Sequence, residues 1–240
     1  MMNMQDYILQ TNGVSKRFKG QTVVDAISLT VRRGTVYGLM GPNGAGKTTL
    51  LKMIAGLLNP SSGEIQFDGE AWSRKSLEQI GSLIESPALY GNLTARENLK
   101  VHTMMLGLPE RRIEEVLETV DLKNTGKKRA SQFSLGMKQR LGIAIALLKC
   151  PRLLILDEPT NGLDPLGIQD LRHLIRTFPA QGITVMLSSH ALAEVEQIVD
   201  EIGIISGGKL RYQGQLDKNA DLESLFMNVV LEANGRTAIR

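Results

Sequence analysis

The sequence predicts an α/β fold with a mostly parallel central sheet, and three observations support that prediction. Stretches of strand length alternate with stretches of helical periodicity along most of the 240 residues. Leu153–Leu156 is an unbroken apolar run, typical of a strand buried on both faces, and Ile183–Ser189 predicts a second buried strand. Gly41–Thr49 is a glycine-rich loop that connects a predicted strand to a predicted helix.

The N-terminal part of the chain predicts antiparallel strands before this sheet begins. Tyr7–Thr11 and Thr22–Val31 alternate apolar and polar residues in part, which indicates two antiparallel strands on either side of a turn near Lys19. Thr35–Met40 then predicts a buried strand, and Thr49–Gly56 predicts a helix that a glycine ends. Two further short strands are predicted over Gly63–Gly69 and Ile80–Ile84.

The middle of the chain, about residues 86–149, predicts a helical lobe inserted beside the sheet. Its first helix follows Thr94, which forms a capping box with Glu97 three residues on. Met104 and Met105 are interpreted as core or interface residues. Four residues of this helix are expected to share one face: Leu99, His102, Met105 and Leu106.

The rest of the chain completes the alternation of helices and strands. Gly207 and Gly208 separate two apolar stretches, which predicts a tight hairpin between Ile202–Ile205 and Lys209–Tyr212. Residues 1–240 are predicted to form a single domain with a C-terminal extension of about 215–240. The remaining predicted helices are Arg111–Val120, with a stripe of Ile113, Val116, Leu117 and Val120, then Met137–Leu148, Pro165–Thr177, Ala191–Val199 and Leu222–Met227.

The composition of the chain argues against several classes of protein. Aromatic residues make up 4%, too few for a platform of rings that stacks nucleic-acid bases, so no nucleic acid is expected as a partner. Cys150 is the single cysteine, which excludes an internal disulfide, and the neighbouring apolar run 144–148 predicts that its thiol is buried and inert. No stretch reaches about 18 apolar residues and Met1–Asp6 lacks a signal-peptide pattern, so a cytoplasmic location is expected unless a partner holds the protein at a membrane.

The strongest motif in the chain is the loop Gly41-Pro42-Asn43-Gly44-Ala45-Gly46-Lys47-Thr48-Thr49, which matches G-x-x-x-x-G-K-S/T at every fixed position. Its three glycines let backbone N–H groups turn inward as an anion nest, and the following helix adds a partial positive charge. We expect Lys47 to reach the β- and γ-phosphates of a nucleoside triphosphate and the Thr48 hydroxyl to bind Mg²⁺. The alternative is a glycine-rich turn without a ligand.

Three polar residues follow the two predicted buried strands, at the edge of the sheet where ligands bind in open α/β folds. Asp157 and Glu158 come after the first strand, and His190 comes after the second. Phosphoryl chemistry needs a carboxylate that holds Mg²⁺ and a group that orients water. Asp157 is therefore predicted to bind the metal, Glu158 to polarise the attacking water and His190 to contact the γ-phosphate. Taken singly, each has a plainer interpretation as a capping, solvated or loop residue.

Together these motifs resemble the nucleotide-binding subunits of ATP-binding cassette (ABC) transporters over nearly the whole chain. Phe133–Arg140 lies where that family carries its signature, usually Leu-Ser-Gly-Gly-Gln. Ser134 and Gly136 are kept, whereas Leu135 and Met137 replace a glycine and a glutamine. The resemblance implies that Ser134 and Gly136 bind the γ-phosphate of ATP held by a second subunit.

The resemblance implies roles for further residues and an overall architecture. Asn161-Gly162-Leu163-Asp164 resembles the D-loop of the family, with Asp164 at its aspartate, and Phe18 falls at the aromatic residue that stacks on adenine. Asp157, Glu158 and His190 match the Walker B aspartate, the catalytic glutamate and the switch histidine. The implied fold is the ABC ATPase form of the P-loop NTPases, with an N-terminal antiparallel β subdomain, a mostly parallel core sheet and an inserted helical lobe.

A second departure from the family pattern occurs at Glu85, where the family usually has a glutamine that touches Mg²⁺ and the attacking water. A carboxylate still binds Mg²⁺, but it adds negative charge near the γ-phosphate and cannot donate a hydrogen bond as an amide does. With Asn92–Leu99, this glutamate resembles the subgroup that protects producers from lantibiotics and its bacitracin-resistance relatives.

The function implied by the resemblance is the ATPase motor of an exporter for antimicrobial peptides. Its cofactors would be ATP and Mg²⁺, and two copies would close on two ATP molecules. A separate integral-membrane permease would hold this pair on the inner face of the cell membrane. Three alternatives stay open: a soluble cassette ATPase that acts on DNA or ribosomes, an exporter with an unrelated cargo, and a P-loop kinase.

Overall fold

The computed structural model describes residues 6–216 and 221–233, which contain two β-sheets and seven α-helices. The strands in chain order are β1 Tyr7–Phe18, β2 Gln21–Ile27, β3 Thr30–Arg32, β4 Val36–Met40, β5 Ser62–Phe67, β6 Glu70–Ala71, β7 Ile80–Leu83, β8 Leu153–Asp157, β9 Thr184–Ser189, β10 Glu201–Ser206 and β11 Lys209–Gln215. The helices are α1 Lys47–Ile54, α2 Ala95–Leu106, α3 Arg111–Thr119, α4 Leu135–Leu147, α5 Pro165–Thr177, α6 Leu192–Val195 and α7 Leu222–Ala233.

The central sheet has six strands in the order β11-β10-β4-β9-β8-β7, and all neighbours are parallel except the hairpin β10–β11. Strands β4, β8 and β9 are buried along their whole length, as their apolar composition requires in a sheet covered on both faces. The hairpin turns at Gly207 and Gly208, both of which have positive φ. The predicted α/β fold with a mostly parallel sheet is confirmed.

A second, antiparallel sheet has the order β2-β1-β5-β6, with β3 paired to β1. Helix α1 lies in the core that both sheets share, because its Leu50 and Leu51 belong to the same buried cluster as Leu9 of β1 and Leu39 of β4. This packing fixes the helix that follows the glycine-rich loop against the end of β4.

The predicted strand Thr22–Val31 is interrupted, and a buried threonine explains the break. The Thr11 hydroxyl donates to the carbonyl of Ile27 at 3.0 Å and accepts from the backbone N–H of Leu29 at 2.9 Å. These side-chain bonds replace part of the ladder that β1 forms with this segment, between its pairing with β2 and its pairing with β3. Helix α6 is also shorter than the predicted Ala191–Val199, although Val195 and Val199 are both buried as expected.

Helices α2, α3 and α4 occupy the region predicted as a helical lobe. Thr94 caps α2 as predicted: its hydroxyl accepts from the N–H of Glu97 at 3.2 Å, and a Glu97 carboxylate oxygen accepts from the N–H of Thr94 at 2.8 Å. The predicted apolar stripe of α3 is buried, and it packs in one cluster with α4 and with β8 of the sheet.

Met104 and Met105 of α2 are not core residues, because they are about three-quarters exposed, and their alternative assignment to an interface stays a prediction. The buried residues are Ala95, Asn98, Leu99 and Thr103. Asn98 is a polar residue on this buried face: its side-chain amide donates to the carbonyl of Thr94 at 2.8 Å, and its Oδ1 accepts from the N–H of Tyr90 at 2.8 Å. These bonds satisfy its polar atoms away from water.

The prediction of a buried Cys150 is also wrong, because the structure exposes this thiol. Helix α4 ends at Leu147, and the N–H of Cys150 donates to the Leu147 carbonyl at 3.0 Å in a turn where Cys150 has a φ of 52°. The apolar run 144–148 ends with the last turn of α4, and Cys150 comes after it in the exposed turn.

Helix α7 is longer than the predicted segment Leu222–Met227. Of the predicted C-terminal extension, residues 217–220 and 234–240 lie outside the described residues, as does most of the N-terminal segment Met1–Asp6. Within 6–216 and 221–233, no helix is both long enough and apolar enough to cross a membrane.

Glu201 is a buried carboxylate on β10 that makes the stability of the core depend on pH. Its Oε1 lies 2.9 Å from Nε of Arg32, yet burial outweighs this attraction and raises the pKa of Glu201 above its usual value of 4.5. Because the folded pKa is raised, the stability gained from the protonated form is complete below about pH 4.5 and is lost as the pH rises through the folded pKa.

We therefore expect Glu201→Gln to raise the melting temperature relative to the wild type more at pH 7 than at pH 4.5. The amide avoids the cost of burying a charge, and the half-exposed Arg32 stays solvated. Thermal unfolding of both proteins at the two pH values measures the effect, with exposed Glu196→Gln as the control. A larger gain at the lower pH would contradict the raised pKa.

Candidate functional site

The glycine-rich loop runs from the end of β4 to the first residue of α1, so the N-terminus of α1 faces whatever the loop binds. Gly46, the residue before α1, has a φ of 104°, and a Cβ built on it would lie 2.8 Å from the carbonyl oxygen of Val23. A side chain at this position would therefore meet backbone. Asn43 and Gly44 are exposed at the tip of the loop, and Thr49 is half-buried in the first turn of the helix.

Lys47 is buried and folds back over this loop. Its ammonium donates to the carbonyl oxygen of Gly41 at 2.8 Å and lies 3.4 Å from that of Pro42. The same nitrogen is 3.3 Å from Oε1 of Glu158, which follows β8. Lys47 thus places a positive charge at the loop and joins it to the end of the neighbouring strand.

Glu158 lies between two of the predicted site residues. Its Oε1 faces Lys47, and its Oε2 is 2.8 Å from Nδ1 of His190, which follows β9. Its backbone has a φ of 48°, a left-handed conformation that non-glycine residues seldom adopt, and its N–H donates to Oγ of Ser188 at 2.9 Å. The parallel pairing of β8 with β9 brings the ends of the two strands together.

Asp157 lies beside the predicted metal-binding threonine. Its Oδ1 accepts a hydrogen bond from the Thr48 hydroxyl at 3.1 Å and another from the Ser188 hydroxyl at 2.6 Å. Sequence reasoning missed Ser188, because it treated the residue only as part of a buried strand. The available signal was the polar end of an otherwise apolar run, two residues before His190.

The donor set at Thr48 and Asp157 fits Mg²⁺, which prefers hydroxyl, carboxylate, phosphate and water oxygens. Within residues 6–216 and 221–233, no three His, Cys, Asp or Glu side chains form a cluster able to hold a metal alone. A nucleotide with its phosphates and water would have to complete the coordination, as is usual for Mg²⁺.

Glu85, the third predicted metal ligand, contacts a different partner. Its Oε1 lies 2.5 Å from Nζ of Lys52 on α1, and its backbone also adopts a left-handed conformation, with a φ of 63°. Its side chain is well exposed. Binding of Mg²⁺ by Glu85 therefore stays a prediction.

Ser134, Gly136 and Asp164 line a separate cavity of about 450 Å³ at the first turns of α4 and α5. Ser134 caps α4, its Oγ accepting from the N–H of Met137 at 3.2 Å. Asp164 caps α5, its Oδ1 accepting from the N–H of Gly167 at 3.0 Å. Both side chains thus have a structural role within the chain.

Gly136 lies in the first turn of α4, and the surrounding chain leaves room for a side chain there. A Cβ built on it would find its nearest neighbour, Cδ2 of Leu163, 3.9 Å away. Alanine is a better helix former than glycine, so packing within one chain gives no reason for a glycine.

Phe18 lies at the end of β1 with 42% of its surface exposed, and Nζ of Lys16 is 5.2 Å from its ring centroid. The ring is therefore accessible to a flat ligand.

The positions of the other predicted site residues divide them into two groups. The glycine-rich loop, Asp157, Glu158 and His190 meet at one sheet edge, whereas Ser134, Gly136 and Asp164 line the other cavity, to which the loop contributes no residue.

Comparison with known proteins identifies relatives of the whole chain. A family model described as ABC transporter matches residues 24–161. The lantibiotic transport ATP-binding protein SrtF of Streptococcus pyogenes is 50% identical over 224 residues, which cover 93% of this chain and 98% of that protein. The bacitracin transport ATP-binding protein BcrA of Bacillus licheniformis is 50% identical over 208 residues, 85% of this chain and 68% of that protein. A solved ATP-binding subunit of an ABC transporter is 33% identical with a TM-score of 0.81, covering 92% of this chain and 99% of that one.

Proposed function

Because the chain belongs to the ABC transporter family as an ATP-binding subunit whose ATP hydrolysis is coupled to transport, we propose that it drives the export of antimicrobial peptides. The names of two relatives at 50% identity, one for lantibiotic and one for bacitracin transport, support this class of cargo. We further propose that a separate integral-membrane permease carries the cargo and holds this subunit at the inner face of the membrane.

The proposed active form is a dimer of two copies arranged head to tail. The observation that supports it is the division of the site: the phosphate-binding loop and the cavity at the starts of α4 and α5 lie apart in one chain. In the dimer, the cavity of one copy would cover ATP bound to the loop of the other. In this dimer, residues 1–240 of each copy would form a single ABC ATPase domain with a helical subdomain at about 86–149 and an extension at about 215–240.

The proposed mechanism assigns each side chain a task that its position allows. Lys47 and the backbone N–H groups of the loop bind the β- and γ-phosphates, and Phe18 stacks on the base. Thr48 and Asp157 would hold Mg²⁺, which neutralises charge on the phosphates when bound, and Glu85 is a further proposed ligand.

Hydrolysis itself is assigned to the pair at the strand ends. Glu158 accepts a proton from the attacking water as a general base. His190, 2.8 Å from the Glu158 carboxylate, orients that carboxylate and contacts the γ-phosphate. Ser134 and Gly136 close on the same phosphate from the second copy, and Asp164 lines the cavity beside them, so hydrolysis depends on dimer formation.

Gly136→Asp tests the role of the second cavity. We expect the variant to fold and to bind ATP as a monomer, because there is room at Gly136 and an acidic residue in the first turn of a helix is favourable. In the dimer the new carboxylate would face phosphate. Like charges in contact cost several kcal/mol, so ATP-driven dimerisation should weaken by at least about 100-fold. Light scattering with Mg²⁺ and ATP measures it, and an unchanged dimer would exclude this site.

The cargo is tested in cells that lack the protein. Their growth is measured against lantibiotics, bacitracin, and unrelated cationic peptides and dyes, with the gene restored as the control. Selective sensitivity to one lantibiotic or to bacitracin is the expected result. No change across the panel would contradict the proposed cargo and leave the ATPase assignment intact. Recovery of the protein with ribosomes instead of membranes would contradict the transport role.

A further inference from the structure

The ion pair between Lys52 and Glu85 lies beside the proposed ATP site, and Lys52 has no role in the mechanism above. Nζ of Lys52 is 2.5 Å from Oε1 of Glu85, a charge-assisted contact between α1 and the segment that follows β7. Lys52 is about one-third exposed and Glu85 about two-thirds, so both remain partly in contact with water.

The pair lies close to the residues that would hold the metal and the phosphates. Lys52 comes four residues after Thr48 on α1, so both project from one face, separated by one turn of about 5.4 Å. Strand β7 runs parallel to β8, with Leu83 opposite Leu156. Glu85 therefore emerges beside the end of β8, where Asp157 and Glu158 already place two carboxylates.

Each of these three carboxylates has its own partner in the structure. Asp157 accepts from two hydroxyls, and Glu158 faces Lys47 and His190. Glu85 faces Lys52. A third carboxylate at this edge would repel the phosphates of a nucleotide unless a cation stood beside it. Lys52 is that cation.

The backbone at Glu85 indicates that its position is held. A φ of 63° is uncommon for a residue with a side chain and persists where surrounding contacts maintain it. The contact with Lys52 ties the carboxylate to the phosphate-binding helix, so movement of this segment must either carry Lys52 along or break the pair.

We propose that Lys52 is the positioning residue of Glu85: it holds the carboxylate one helical turn beyond Thr48 and balances its charge, which lets Mg²⁺-ATP bind beside it. This inference rests on the proposed ATP site and goes beyond it by naming a residue that acts through Glu85.

Binding of a fluorescent ATP analogue in the presence of Mg²⁺ tests the proposal with three variants. We expect Lys52→Gln to weaken binding about three- to fivefold, the range of an exposed ion pair, because Glu85 is left without its cation. Lys52→Arg should bind as the wild type does. Adding Glu85→Gln to Lys52→Gln should recover part of the lost affinity, since the unbalanced charge is removed while the amide oxygen can still contact Mg²⁺.

Lys123→Gln is the matched control, because Lys123 also forms an exposed ion pair, with Glu118 at 3.5 Å, but in the helical lobe. It should not change binding, and melting temperatures should show that all variants fold. If Lys52→Gln and the double variant bind the analogue with equal affinity, the proposed role of Lys52 is overturned, while the proposed ATP site is unaffected. Absence of binding in the wild type would overturn the proposed ATP site and this inference with it.

Discussion

The Glu158→Gln variant is expected to bind ATP normally and to hydrolyse it about 10²- to 10⁴-fold more slowly than the wild type. This factor is the contribution that a positioned general base makes to a reaction rate. The amide has nearly the shape of the carboxylate, so the contacts with Lys47 and His190 can be kept in similar geometry. It cannot accept a proton from water, however. ATP should therefore persist between two copies, and a stable ATP-bound dimer should accumulate.

Light scattering with Mg²⁺ and ATP measures the dimer, and release of phosphate measures hydrolysis. Exposed Glu196→Gln is a suitable control, because it removes the same charge away from the strand ends. If Glu158→Gln remains monomeric at high protein and ATP concentration, closure of two copies on ATP is contradicted. If it hydrolyses ATP at the wild-type rate, Glu158 is not the base.

Lys47→Ala is expected to have the second large effect, a loss of ATP affinity of about 30- to 4,000-fold. Lys47 is 6% exposed, and its ammonium bonds to the Gly41 carbonyl while facing Glu158. Removing one partner of a buried charge pair costs about 2–5 kcal/mol, and about 1.4 kcal/mol corresponds to tenfold in affinity. The variant would also leave Glu158 facing the phosphates without its nearest cation.

Titration with a fluorescent ATP analogue measures this loss, and the melting temperature without nucleotide shows whether the loop still folds. Lys123→Gln again serves as the control for removal of a lysine charge. Binding within about threefold of the wild type would show that Lys47 is not a phosphate ligand.

The fold was largely predictable because its signals are local. The apolar runs that become β4, β8 and β9 are continuous in sequence, and the boundaries of α5 match the predicted Pro165–Thr177. Predictions about exposure were weaker. Cys150 was assigned to the interior from neighbouring apolar residues, but the end of α4 places it at the surface. Met104 and Met105 were predicted to lie in the core or at an interface, and both are exposed.

The candidate site was predictable as a set of residue types, since the loop Gly41–Thr49 and the polar ends of β8 and β9 are contiguous patterns. The hydrogen-bond and ion-pair partners of these side chains were not predictable. Ser188 joins Asp157 to Glu158, and Lys52 pairs with Glu85, through side chains that are 30 or more residues apart in sequence. No periodicity or spacing predicts such contacts.

The sequence by itself determined the order of elements, the glycine-rich loop between β4 and α1, and the family, because each depends on neighbouring residues or on a fixed motif. Only the tertiary structure decided which carboxylate faces which cation and that the two groups of site residues lie apart in one chain. The physical reason is that parallel pairing and helix packing set these distances across the sheet, and charges interact through space according to those distances, whatever their separation in sequence.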